Sequence, residues 1–256
     1  MIEAEVNRVC RSQDVPRVLR WLSEGRMCEA QQGVLRWSSN STLLVSLAFD
    51  QPDAPQALLA VYKPQRGERP LWDFPDGTLC RREYAAFLVS QALGWQIVPP
   101  TVLRDGLRGF GSVQLYIAHD PEVNYFTLDE TFRAPLMKMV AFDYVINNAD
   151  RKGGHCIVGQ DGHLWGIDHG IGFHTAPKLR TVIWDFAGEP IPQDLLADLE
   201  RLYCEVEAPT EPLRYALNGL LTEAEINALL ARLRKLIQRR EYPRPGPGPN
   251  YPWPPV

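Results

Sequence analysis

The stretch Val145–His174, VINNADRKGGHCIVGQDGHLWGIDHGIGFH, constrains this chain more than any other. Its apolar runs Cys156–Val158 and Leu164–Ile167 predict two short strands, joined by a Gln160-Asp161-Gly162 turn. Asp150 follows a helix-like segment and heads a loop. Asp168 comes directly after the second strand, with Gly170 two positions on. One hairpin therefore holds two carboxylates at its open end, where both can face one small volume. Oxygen donors so placed suit a divalent cation and a reacting hydroxyl side by side. Loop aspartates also cap turns, and Asp161 is read that way. Four of the five histidines fall in the same stretch: His155, His163, His169 and His174.

The spacing sharpens this. In protein kinases a catalytic Asp is followed five positions later by a metal-binding Asn, then by Asp and Gly beyond a hairpin. Here Asp150-Arg151 is followed by His155 and by Asp168-His169-Gly170. These motifs resemble the Asp-Arg loop and Asp-x-Gly motif of the phosphatidylinositol 3-/4-kinase branch, and in particular a bacterial phosphatidylinositol 3-/4-kinase-like family. The resemblance runs roughly from Gly33 to Tyr203. It implies an α+β, bilobal, protein-kinase-like fold with a β-rich N-lobe and a mainly helical C-lobe. It also implies ATP bound between the lobes with Mg²⁺, or Mn²⁺. Asp150 would be the catalytic carboxylate and Asp168 the metal ligand. Arg151 would either neutralise phosphate charge or hold the loop. The departure is His155, where an amide oxygen is expected as second metal ligand. A neutral imidazole prefers softer metals than Mg²⁺, and Asn148 is an alternative source of an amide.

The N-terminal part offers the other pieces of a nucleotide site. Ser38–Ser41 lies between two strand-like runs, so Ser39, Asn40 and Ser41 are candidates to cradle phosphates. Lys63 ends the strand-like run Ala57–Tyr62, which aims its ammonium at α/β-phosphate oxygens. By resemblance Glu83, in the predicted helix Arg81–Leu93, pairs with Lys63. Gln114–Ala118 is the hinge by the same resemblance, a strand in which Gln114 and Tyr116 offer backbone groups to the adenine.

The domain reading is 1–118 for the β-rich lobe, 119–240 for the helical lobe and 241–256 for a tail. That tail, EYPRPGPGPNYPWPPV, is too rich in proline and glycine for helix or sheet interior. It reads as disordered or polyproline II, with partner docking a lesser alternative. The net charge of −4 and 45% hydrophobic content are ordinary for a soluble protein and suggest no nucleic acid. No membrane span or signal core is legible, and five scattered cysteines without CxxC spacing read as reduced thiols of a cytoplasmic protein. The basic run Arg232, Arg234, Lys235, Arg239, Arg240 is open between peripheral contact with anionic lipid and a solvated helix face.

Three functional readings follow. The leading one is transfer of the γ-phosphate of ATP to an unidentified hydroxyl: a lipid, a small polyol or a protein. The second is a metal-dependent hydrolase built on the His/Asp cluster 155–174. The third is a nucleotide-binding pseudokinase or adaptor.

Overall fold

The computed structural model describes residues 14–34, 41–50 and 54–256, with side chains left out at 30–34. The chain divides into two compact units. The first comprises Met1–Tyr84, Pro99–His119 and Gly159–His163; the second comprises Ala85–Val98, Asp120–Val158 and Leu164–Val256. The boundary cuts helix α2 (Leu79–Leu93), so part of the region read from sequence as one N-terminal lobe groups with the second unit.

The first unit opens with α1 (Val15–Glu24), whose Val15, Val18, Trp21 and Leu22 are buried. These positions follow helical periodicity and form one apolar face. Asp14 precedes the helix, but its carboxylate accepts from Arg17 rather than capping a backbone N–H. An antiparallel sheet follows, built from β1 (Arg26–Val34), β2 (Leu43–Ala48), β3 (Ala57–Pro64), β4 (Thr101–Gly106) and β5 (Gly109–Leu115), in the order β1-β2-β3-β5-β4. In β3, Leu58, Ala60 and Tyr62 are buried on one face, and Lys63 shares the other with Leu59 and Val61. β4 and β5 form one hairpin, closed at Gly106 opposite Gly109. Arg104, Asp105 and Arg108 interrupt the apolar pattern there because that end of the hairpin is only half covered.

In the second unit, α3 (Arg133–Ile146) buries Leu136, Met139, Val140, Phe142 and Asp143. It stops at Asn147, which adopts a left-handed conformation (φ 56°). That amide then accepts from the Lys178 N–H and donates to the His174 and Ala176 carbonyls. The hairpin β6 (Cys156–Val158) and β7 (Leu164–Gly166) follows. Its turn holds Gly162 at positive φ, and Asp161 accepts from the His163 N–H. Beyond it lie α4 (Gln193–Glu207), α5 (Pro212–Asn218) and α6 (Glu223–Arg239). The Thr222–Glu225 capping box starts α6, and its Ile226, Leu229, Leu233 and Leu236 are buried. Leu195, Leu199 and Leu202 supply the buried face of α4, which packs against α6.

The tail, expected to be disordered or polyproline II, makes defined contacts. Tyr242 is 2% exposed, stacks near Phe186, and exchanges backbone hydrogen bonds with Gly188 and Glu189. The Asn250 carbonyl accepts from the Thr181 N–H at 3.0 Å and from Trp184 Nε1 at 3.2 Å. The Pro255 carbonyl accepts from the Gly153 N–H at 2.8 Å. Proline lacks a donor but keeps its carbonyl. That bars it from helix interiors while leaving it able to lie as a strap on donors supplied by other segments.

Candidate active site

Asp150 to Arg151 is held by a frame that begins on α3. Asp143 sits three residues after Val140, in the buried phase of the helix, and is 1% exposed. Its two carboxylate oxygens accept from Arg151 Nε and Nη2, both at 2.8 Å. Arg151 Nη1 donates to the His155 and Ile167 carbonyls at 3.1 Å, and Nη2 also meets His169 Nε2 at 2.6 Å. A guanidinium has five N–H donors, and these contacts account for all of them. Arg151 is fully buried. Of the two roles expected for it, the geometry is that of a loop-holder, and its donors do not face a phosphate.

Asn148 is likewise turned inward and fully buried. Its amide donates to Asp143 at 2.9 Å and accepts from the Asp150 N–H at 3.1 Å. The expectation that Asn148 supplies a metal-binding amide is therefore corrected: that amide fixes the loop. Arg180 pairs by backbone with both flanks of Asp150, donating to the Asn148 carbonyl and accepting from the Arg151 N–H. With the chain pinned at 148 and 151, the Asp150 side chain is held about three-quarters buried, at 25% exposure. Burial raises its carboxyl to about 6, with Lys152 opposing and Asp168 adding to the shift. The Lys152 ammonium lies 3.5 Å from its Oδ2.

Asp168 holds a left-handed backbone (φ 61°), a conformation aspartate tolerates better than most residues. Its carboxylate is 47% exposed and lies 3.4 Å from His155 Nε2. His155 Nδ1 is 2.8 Å from the Asp150 carbonyl. An acceptor at that distance requires the proton on Nδ1; the Lys152 N–H, at 3.5 Å, is the weaker contact. Burial pushes the imidazole down to about 4, so it is neutral near pH 7. The Nε2 lone pair and the Asp168 carboxylate thus face each other as two acceptors. That donor set, one oxygen and one nitrogen, fits a divalent cation, and Mn²⁺ accepts it more readily than Mg²⁺. Gly166, in β7, permits this packing: a Cβ there would lie 3.2 Å from Arg151 Nη2 and 3.3 Å from His169 Nε2.

The larger transition-metal cluster is not assembled. Among the described residues no three His, Cys, Asp or Glu side chains gather as a metal-binding group. Cys156 is buried against Met139, and His169 is taken by Arg151. His174 Nδ1 accepts from the Ala176 N–H.

In the first unit Lys63 and Glu83 form an ion pair, with side chains 17% and 4% exposed. Ser39 and Asn40 lie outside the described residues, and Ser41 packs against Gly67. Gln114, expected to offer backbone groups to an adenine, requires correction. β5 is an interior strand, so Gln114 is paired with Val61 on one side and Thr101 on the other, and its side chain donates to Thr101. The Tyr116 N–H donates to the Leu59 carbonyl. Two residues were missed from sequence. Asp143 had a signal, a carboxylate in the apolar phase of a helix. Lys152 had none beyond its place two after Asp150.

An α+β fold with a Lys–Glu pair, a pinned Asp-Arg loop and an Asp-x-Gly turn after a hairpin defines a kinase-like catalytic domain. A family model described as phosphatidylinositol 3- and 4-kinase matches residues 108–214. Protein Rv2133c of Mycobacterium tuberculosis is 39% identical over 87% of this chain and 90% of its own length. The crystal structure of the proinflammatory kinase CtkA of Helicobacter pylori shares the fold, with TM-score 0.51 at 13% identity over 86% of this chain and 94% of that one. The chain belongs to the bacterial phosphatidylinositol 3-/4-kinase-like family. Among the described residues no helix is long and apolar enough to cross a membrane.

Proposed function

We propose that the chain is an ATP-dependent phosphotransferase that moves the γ-phosphate onto a hydroxyl acceptor. The observation that carries this is the contrast between its two loop carboxylates. Asp150 is desolvated and raised to about 6, whereas Asp168 is exposed and faces the His155 lone pair. Groups whose surroundings push them apart take different roles. Asp150 is ionised at neutral pH yet basic enough to orient the acceptor hydroxyl and share its proton. Asp168, with His155, would hold Mg²⁺ or Mn²⁺. When bound, that ion neutralises charge on the phosphate oxygens. Lys63, held by Glu83, contacts the phosphate oxygens of the nucleotide. Lys152, beside Asp150, supplies the cation that Arg151 cannot.

Calorimetry with ATP and Mg²⁺ tests the division of roles. Asp168→Asn is expected to weaken binding at least about tenfold, equal to about 1.4 kcal/mol. Asp150→Asn is expected to keep near wild-type affinity and lose phosphoryl turnover. Equal loss of affinity in both variants would remove the division; absence of ATP binding by the wild type would overturn the reading.

A further inference from the structure

The basic run of α6 separates into two groups once its partners are known. Arg232 donates to the Val145 carbonyl at 2.8 Å and the His174 carbonyl at 3.2 Å. Arg234 contacts the Tyr203 hydroxyl and lies 3.7 Å from Glu207. Arg240 donates to Gln193. Those three are structural. Lys235 and Arg239 are left, one turn apart on a single face, and both line a cavity of about 340 Å³. Its opposite wall is the start of the tail, which brings in Arg244 and the one carboxylate, Glu241. The Tyr144 phenol, on α3, completes the lining.

Four other arginines of this protein meet carboxylates: Arg133 with Glu189, Arg151 with Asp143, Arg201 with Asp198, Arg214 with Glu223. Among the described residues no carboxylate pairs with Lys235, Arg239 or Arg244. Like charges four apart on a helix repel, and a third cation from another segment adds to that repulsion. The helix macrodipole favours a cation in the last turn, which accounts for Arg239 but not for Arg244. Arg244 is also seated. Its guanidinium lies over Gly188 (φ 83°), where an added Cβ would fall 2.1 Å from Nη2. Small-molecule sites span about 300–1,000 Å³, so the cavity has room for more than a single phosphate.

We propose that this cavity is a binding site for a small anion carrying two or more phosphate groups, clamped between Lys235 and Arg239 of α6 and Arg244 of the tail. It lies apart from Asp150 and Asp168 in the sequence and does not depend on the phosphotransferase reading. The headgroup of a phosphorylated inositol lipid and a free polyol phosphate offer the same chemistry.

The test is calorimetric titration of the full chain with inositol trisphosphate, without divalent metal, at about 0.1 M salt, where the Debye length is about 10 Å. Wild type is expected to bind with saturation, and Arg239→Glu/Arg244→Glu to bind at least tenfold more weakly while keeping a cooperative thermal transition. If that double variant does not fold, Arg239→Gln and Arg244→Gln singly are each expected to weaken binding. Sedimentation with phosphatidylcholine vesicles, with and without a phosphorylated inositol lipid, separates the sources. Lipid-dependent sedimentation lost in the variant assigns the headgroup, and binding of the trisphosphate alone assigns a soluble ligand. No saturable binding of either probe overturns the proposal. So does binding that the variants retain.

Discussion

Arg151 shows how far a residue's role depends on its neighbours. Next to a catalytic carboxylate in sequence, it is buried with every donor engaged, and Asp143 carries the counter-charge. Removing one partner of a buried pair leaves an uncompensated charge, a cost of about 3–5 kcal/mol. Asp143→Ala is therefore expected to lower stability by about that amount in urea unfolding; a loss below about 1 kcal/mol would show the pair contributes little. Asp150 predicts the opposite sign. Its folded pKa of about 6 lies above the ordinary 3.8, so the folded state holds this proton more tightly. The resulting stabilisation is complete below the ordinary value and is lost as pH rises through about 6. Asp150→Asn removes that loss. The variant is expected to melt above wild type at about pH 8 by the equivalent of about 1–3 kcal/mol, with the gap closing by about pH 4. Thermal melts across that range check it, and a gap that does not change with pH would dissociate it from Asp150 titration.

Among the elements, the β6–β7 hairpin was legible because its signals are local: two apolar runs, an Asp-Gly turn, and Asp168 directly after. The tail was not. Its composition says what it cannot form, namely helix or sheet interior, and from that disorder or polyproline II was expected. Its order comes from donors distant in the chain: the N–H groups of Gly153 and Thr181 and the Trp184 indole. A truncation after Pro249 removes these acceptors and uncovers the Gly153 loop beside the Phe126 ring. It is expected to lower the melting temperature by several degrees and to speed amide exchange at Gly153 and Thr181. Unchanged exchange at both amides would show that the strap does not hold the loop.

Across the whole molecule, the sequence by itself determined the α+β class and the family, and it singled out Lys63, Glu83, Asp150 and Asp168 as candidates. Those follow from periodicity and from motif order, which are properties of the chain read in one dimension. The tertiary structure decided what each group can do. It paired Lys63 with Glu83, turned Asn148 and Arg151 inward, and set His155 Nε2 against Asp168. It also placed Gln114 within the sheet and left Lys235, Arg239 and Arg244 around one cavity. The physical reason is that protonation, hydrogen-bond saturation and charge pairing depend on distance through space and on exclusion of water. Residues such as Asp143 and Arg151, or Gly153 and Pro255, become neighbours only when the chain has folded.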